Sequence, residues 1–161
     1  MLSKDALNVY LNDHLAGSTA ACDLIEQIRD HNQGTPLAEF LQVMLEEVRA
    51  DRDVLESLMD QLGIEKSTVK QAGSWLMEKV SRLKFMTTER VAGATRNLIE
   101  LEALQLGVQG KEALWLALEQ VMDLDPKLAD FEFGALADRA EHQVLAIEQQ
   151  RLQAARAALA G

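Results

Sequence analysis

The sequence has a single cysteine, few basic residues and no long hydrophobic run. One cysteine, Cys22, excludes an intramolecular disulfide framework and is typical of a reducing compartment. The first residues, Met1 to Asp5, lack the basic segment followed by an apolar run that marks a signal peptide. No stretch approaches the roughly 18 uncharged apolar residues that a transmembrane helix needs. These absences predict a cytoplasmic protein with no membrane partner.

Positive charge is scarce: 16 Lys and Arg stand against 26 Asp and Glu, which gives a net charge of −10. A protein that binds the phosphate backbone needs a basic face, so this balance argues against a nucleic-acid partner. Hydrophobic residues nevertheless make up 48% of the chain, which is ample for a buried core and argues against disorder. We therefore expect one acidic globular domain over residues 1–161.

The alternation of period two that marks β-strands is also missing. Apolar residues recur at spacings of three and four, which is typical of amphipathic helices. The pattern predicts long helices at about 3–31, 36–62, 95–122 and 133–159, with a shorter helix at about 67–85. Short connections around Gly34 and Pro126 join the long helices into two antiparallel hairpins, 3–62 and 95–159. The fold class expected from the sequence is therefore all-α.

The two predicted hairpins are separated by residues 63–94, which is enough chain to cross from one end of a bundle to the other. Four stretches are informative beyond this pattern: YLNDHLAGSTAA (10–21), EEVRADRDVLESLMDQLG (46–63), GSWLMEKVSRLKF (73–85) and LIELEALQLGVQGKEALW (98–115). In them, and over most of its length, the chain resembles bacterial proteins of the ferritin-like superfamily. The resemblance implies an antiparallel four-helix bundle with a long crossover that contains the shorter fifth helix. It implies no particular reaction.

The sequence lacks the motif from which ferritin-like metal centres are built. Such centres take a Glu from each of two helices and a Glu-x-x-His pair from each of the other two. The residues three positions before the histidines are Leu11, Ile28 and Arg139, so no such pair occurs. We therefore expect no iron or manganese cofactor. The alternative is an atypical di-iron or di-manganese oxidoreductase or metal-handling protein, and its ligands would be His14, Glu47, Asp51, Glu100 and Glu141.

The charges on the inward helix faces are predicted to pair with one another. Counted outward from the turns, the expected pairs are His14 with Asp51, Glu100 with Arg151, and Lys111 with Glu141. Each buried acid would then face a base, which avoids the cost of an unpaired buried charge. A dinuclear metal site would concentrate carboxylates instead. The first hypothesis is therefore a non-catalytic structural or interaction protein whose expected partner is a second copy of the chain.

Small residues cluster from Ala16 to Cys22, level with residues 46–52 of the second predicted helix. Two interpretations are open: ordinary interdigitation of small with long side chains, or a cavity that holds a small polar ligand. The residues that would line this cavity are Ser18, Thr19, Glu47, Asp51 and Arg52. Binding of a small polar ligand is therefore the second alternative function.

Two further features of the sequence concern contacts between helices and between subunits. Gly107 and Gly110 lie within the predicted helix 95–122, and we interpret them as allowing another helix to approach closely. Trp75 lies off the apolar stripe of the helix predicted at 67–85. It is therefore a candidate contact with another subunit.

Overall fold

The computed structural model describes residues 2–67 and 93–160. This part of the chain contains four long α-helices: α1 (Lys4–His31), α2 (Pro36–Leu62), α3 (Ala94–Glu119) and α4 (Phe133–Leu159). Two short 3-10 helices, Met122–Leu124 and Pro126–Asp130, connect α3 to α4. No strand occurs within the described ranges, so the prediction of an all-α bundle is confirmed. Apart from Ser67, the helix predicted at 67–85, including Trp75, lies outside the described residues.

Hydroxyl side chains set where the first two helices begin. Ser3 accepts a hydrogen bond from the backbone N–H of Ala6 at 3.3 Å, and Thr35 accepts one from Ala38 at 3.3 Å. Each bond supplies an acceptor to a backbone N–H of the first turn, which lacks the usual acceptor four residues earlier in the helix. Pro36 follows Thr35 in the first turn of α2, where its missing N–H costs nothing.

Glycine sets where α2 ends. Gly63 has a φ of 68°, in the left-handed region, and the next N–H, of Ile64, donates to the carbonyl of Met59 at 2.9 Å. This arrangement is a common helix C-terminus, and it ends α2 where the sequence predicts. In contrast, α3 ends at Glu119 instead of the predicted Met122, because a 3-10 helix begins at Met122.

The contacts between helices, together with three hydrogen bonds near the helix ends, show how the helices are arranged. α1 packs on α2 and α3, while α4 packs on α3 and less extensively on α2. Asn32, directly after α1, exchanges hydrogen bonds of 2.9 and 2.8 Å with Asn97 near the start of α3. Asn12, in the first half of α1, donates to the carbonyl of Glu65, just after α2, at 3.1 Å. Thus α2 ends at the end of the bundle where α1 begins, and α3 begins at the opposite end.

The core follows the inward faces of all four helices. Its largest fully buried side chains are Leu11, Leu24, Ile25, Ile28, Leu41, Leu45, Leu58, Met59, Leu101, Leu104, Trp115 and Phe133. Cys22 also lies in this core, and burial raises the pKa of its thiol, as expected for a packed cysteine. None of the helices in the described ranges is both long enough and apolar enough to cross a membrane.

Candidate functional site: a buried polar cluster beside a cavity

Charged and polar side chains from three helices meet near the middle of the bundle. Asp51 of α2 is 1% exposed and accepts hydrogen bonds from Lys111 of α3 and Arg139 of α4. Gln143 of α4 is 3% exposed; it donates to Asp51 at 3.4 Å and to Glu47 at 2.9 Å, and it accepts from Lys111. We call these five residues the polar cluster. Its two acids and two bases balance one another in charge.

The polar cluster leaves no oxygen of Asp51 without a partner. One carboxylate oxygen accepts from Arg139, and the other accepts from Lys111 and Gln143. Burial lowers the pKa of the Lys111 ammonium, and attraction to the Asp51 carboxylate opposes that decrease. Because each charge offsets another, removing one partner would leave a buried charge uncompensated.

The structure corrects the predicted pairing of Lys111 with Glu141. Lys111 lies level with position 143, as counting from the turn predicts, but its partners are Asp51 and Gln143. Glu141 is exposed on the outer side of α4. The reason is rotation about the helix axis: two residues correspond to about 200°, so positions 141 and 143 face opposite ways.

The predicted pair of Glu100 with Arg151 is also wrong. Glu100 is 1% exposed, and its Oε1 accepts from the amide of Gln27 in α1 at 2.7 Å. Arg151 instead donates to Glu148 at 2.7 Å and to Glu102 at 3.3 Å. Glu100 faces α1, whereas Arg151 forms its bonds along the partly exposed side of the α3–α4 pair, so the two side chains do not meet.

Glu100 is an incompletely paired buried carboxyl group. Its Oε2 has no hydrogen-bond partner among the residues that the structure describes. Burial raises the pKa of Glu100, and the hydrogen bond from Gln27 and the charges of His31 and Arg96 oppose that rise. Protonation of this carboxyl group is therefore favoured in the folded state.

The residues that would form an alternative metal centre do not converge on one point. Glu47 and Asp51 belong to the polar cluster, but Glu100 is separated from Lys111 by about 16 Å of rise along α3. Glu141 is exposed, as described above. Over residues 2–67 and 93–160, no group of three or more His, Cys, Asp or Glu side chains is placed to hold a metal ion.

A cavity of about 220 Å³ lies between α1, α2 and α3 and shares Asp51 and Lys111 with the polar cluster. Its polar lining includes His14, Ser18, Asp51, Arg52 and Lys111, and its apolar lining includes Ala21, Val48, Leu55, Leu106, Leu114 and Trp115. The interpretation of residues 16–22 as the wall of a cavity is thus supported by the geometry. The lining of this cavity is mostly apolar with a few polar groups, which is typical of small-molecule sites.

Three of the five residues predicted to line this cavity do so: Ser18, Asp51 and Arg52. Thr19 is exposed and donates to the carbonyl of Leu15 at 3.1 Å. Glu47 lies in the polar cluster, where it accepts from Gln143.

Glycines of two facing helices border the cavity. A Cβ atom added at Gly17 of α1 or at Gly110 of α3 would meet no atom within 4 Å. The interpretation of Gly110 as a point of close helix approach is therefore wrong. Because both positions open onto empty space, larger side chains there can enter the cavity.

Two hydrogen-bond donors of the cavity lining have no acceptor within the described part of the chain. They are Arg52 Nε and Trp115 Nε1. Trp115 is 1% exposed, and the nearest carboxylate oxygen to Arg52 Nε, from Glu56, lies 3.7 Å away. Both nitrogen atoms are fully buried, so they do not open onto the cavity that other atoms of these side chains line.

His14 lies in the cavity lining but not in the polar cluster. Its ring packs edge-on against Tyr10, with the ring centroids 4.7 Å apart. Burial lowers the pKa of His14, and the charge of Asp13 opposes that decrease. The predicted pair of His14 with Asp51 is therefore wrong: Lys111, Arg139 and Gln143 supply the hydrogen bonds to Asp51, and His14 shares only the cavity lining with it.

Sequence reasoning missed two members of the polar cluster, Arg139 and Gln143. Counting outward from the turn between α3 and α4 places position 143 level with position 111, and this alignment indicates Gln143 as a partner of Lys111. Arg139 lies four residues before Gln143 and so occupies the same face of α4.

A comparison with models of protein families gives no match, and neither do comparisons with curated proteins and with solved structures.

Proposed function

We propose that this chain is a non-catalytic, ferritin-like bundle that binds a small molecule in the cavity between α1, α2 and α3. The ferritin-like topology is supported by the positions of the helix ends. Since α2 ends and α3 begins at opposite ends of the bundle, residues 68–92 connect the two ends, as a long crossover does. A cytoplasmic location belongs to the same proposal and is supported by the single cysteine.

The observation that carries the binding function is the cavity of about 220 Å³ between α1, α2 and α3, whose lining is mostly apolar with a few charged and polar side chains. Small-molecule sites in proteins have this kind of lining. Asp51 and Lys111 belong both to this lining and to the polar cluster, so a ligand there would lie beside fixed charges.

The polar cluster argues that this bundle needs no metal ion. Two divalent cations require several carboxylates to neutralise them, and nearby bases oppose their charge. In the polar cluster, Lys111 and Arg139 already neutralise Asp51. We therefore propose that ion pairs hold the helices together where metal-binding bundles use a metal centre.

Self-association is the third part of the proposal. Leu145, Leu152 and Leu159 are 57%, 54% and 74% exposed, and they follow one another at intervals of seven residues along α4. Leucines with this spacing form one stripe, which in many proteins pairs with a stripe on another helix. We propose that α4 of a second copy of the chain packs against this leucine stripe.

Thermal unfolding in the presence of a panel of small organic anions, cations and neutral compounds tests the binding function. The cavity variant is Gly110→Leu, and the matched control is Gln109→Leu, which places the same side chain on the exposed side of α3. We expect at least one class of compound to raise the melting temperature of the wild type and of Gln109→Leu, but not of Gly110→Leu. Equal shifts in both variants, or no shift with any compound, would contradict the proposal.

A further inference from the structure

The outer side of α4 carries a row of exposed residues with a symmetric spacing. Its members follow one another at intervals of four, seven and four residues, and all of them are exposed: Glu141, Leu145, Leu152 and Arg156. At about 100° per residue, they lie within roughly 60° of arc on one side of the helix. We call these four residues the α4 face. Two leucines thus lie between an acid at one end and a base at the other, and the midpoint falls between positions 148 and 149.

No other helix of the described ranges covers the α4 face. α4 packs on α3, and less extensively on α2, through its opposite side, where Ala140, Gln143 and Ile147 are buried. Neither the Glu141 carboxylate nor the Arg156 guanidinium forms a hydrogen bond or an ion pair with another side chain over residues 2–67 and 93–160. The charges and the leucines of this face are therefore both available to a partner.

The symmetric spacing matches a two-fold axis. In a dimer with such an axis the same patch of both copies meets, so the patch must complement itself. When two copies of α4 lie antiparallel about the midpoint, position 141 meets position 156 of the second copy, and position 145 meets position 152. Acid then meets base at both ends of the contact, and leucine meets leucine twice between them. Parallel packing in register would instead place Glu141 opposite Glu141 and Arg156 opposite Arg156, and like charges opposite one another are unfavourable.

The bonds of Glu148 distinguish two antiparallel registers. A register shifted by seven residues would bring Arg156 opposite Glu148 instead of Glu141. Both carboxylate oxygens of Glu148 already accept hydrogen bonds from Arg151, and one of them accepts a further bond from Gln105. Because the Glu141 carboxylate has no such bonds within the described part of the chain, it is the better acceptor for Arg156 of a second copy.

Resting on the self-association proposed above, we infer that the partner of the α4 face is the same face of a second copy, packed antiparallel. Glu141 of each copy pairs with Arg156 of the other, and Leu145 of each packs against Leu152 of the other. The two-fold axis passes between positions 148 and 149. The leucines supply the apolar contact, and the two ion pairs determine the direction and register of the helices.

Charge reversal tests the antiparallel direction. The variants are Glu141→Arg, Arg156→Glu and the double variant with both changes, and sedimentation velocity over a series of concentrations gives the dissociation constant of the dimer. We expect each single variant to raise this constant about tenfold, because like charges then meet at both ends of the contact. The double variant restores acid opposite base and should return the constant to near the wild-type value. The matched control is Asp53→Arg, which makes the same change of charge as Glu141→Arg at an exposed position of α2.

Disulfide cross-linking tests the register. Purified Glu141→Cys and Arg156→Cys proteins are mixed in a glutathione redox buffer, and mass spectrometry identifies which chains are linked. The native Cys22 is buried in the core of each copy. We expect the mixed species, with one chain of each variant, to predominate over either linked homodimer, because positions 141 and 156 meet only between antiparallel copies in this register.

The proposed self-association and the antiparallel arrangement fail under different results. A wild type that is monomeric at every concentration would overturn the self-association and this inference with it. A wild-type dimer that Leu152→Glu dissociates, but that neither single charge reversal weakens or that yields mainly linked homodimers, would overturn the antiparallel arrangement alone.

Discussion

At the scale of single residues, Asp51 is the side chain on which the centre of the bundle depends. It is buried and holds Lys111 and Arg139 from two other helices. We expect Asp51→Asn to lower the free energy of unfolding by about 3–5 kcal/mol, because two bases lose their counter-charge. Urea unfolding measures this difference, and the exposed Glu141→Gln should stay within about 0.5 kcal/mol of the wild type. A loss in Asp51→Asn as small as that of Glu141→Gln would show that the ion pairs carry little of the stability.

The buried carboxyl group of Glu100 leads to a prediction about how the free energy of unfolding depends on pH. Burial raises its pKa above 4.5, so between 4.5 and the folded-state value the folded chain holds a proton that the unfolded chain has lost. Its contribution to stability is therefore fully present below pH 4.5 and is lost as the pH rises through the folded-state pKa. We expect Glu100→Gln to remove that loss.

The measurement for Glu100 is urea unfolding of wild type and Glu100→Gln at a series of pH values. The stability of the variant relative to wild type should increase as the pH rises from about 4 towards 7. Glu141→Gln, which changes an exposed carboxyl group, should run parallel to the wild type. A constant difference between Glu100→Gln and wild type over this range would contradict the assignment of a raised pKa.

The partners of Lys111 show how far the sequence alone predicts contacts between side chains. Counting from the turn predicted that position 111 lies level with position 143, and the bond between Lys111 and Gln143 confirms it. The predicted partner, Glu141, is nevertheless wrong, because counting along the helix axes does not determine how each helix is rotated about its axis. Which face of α4 turns inward is determined only when all four helices pack together.

At the scale of helices, the boundaries of α1 and α2 could be predicted closely. Their signals are local: Gly34 and Pro36 lie between the two helices, and Gly63 follows the second. The C-terminus of α3 could not be predicted as well, because the helical pattern continues to Met122 while the backbone changes there to a 3-10 helix. The interpretation of Gly110 as a close-approach point is wrong for a related reason, since a glycine beside a cavity and one beside a packed helix look alike in a sequence.

The glycines at the cavity lead to a prediction about helix stability. Gly17→Ala and Gly110→Ala each add a Cβ atom into space that contains no atom within 4 Å. We expect each to raise the free energy of unfolding by about 0.5–1 kcal/mol, because alanine favours the helix interior over glycine by that amount.

Urea or thermal unfolding measures the effect of these alanines, and Gly63→Ala is the contrasting variant. Gly63 has a φ of 68°, so alanine there is strained and should destabilise the chain. Destabilisation by Gly17→Ala and Gly110→Ala would mean that the space between α1 and α3 closes in solution.

At the scale of the whole molecule, the leucine stripe of α4 leads to a prediction about assembly. We expect Leu152→Glu, at the centre of the stripe formed with Leu145 and Leu159, to reduce self-association, because it places a charge in an apolar contact. Analytical ultracentrifugation measures the molecular mass over a range of concentrations. Leu116→Glu, an exposed leucine of α3, is the matched control and should behave as the wild type. A mass that is equally monomeric in wild type and Leu152→Glu would remove this part of the proposal.

Ion pairs from Lys111 and Arg139 neutralise Asp51 near the middle of the bundle, and we propose that the whole bundle balances its internal charge in this way without a bound metal. The most direct test is the free energy of unfolding, measured by urea in the presence of a chelator and again in saturating Fe²⁺ or Mn²⁺. Ligands that bind only the folded state raise this quantity with the logarithm of their concentration. We predict the same free energy of unfolding under all three conditions. A value that rises steadily with metal concentration, and falls back when the chelator is added, would contradict the account.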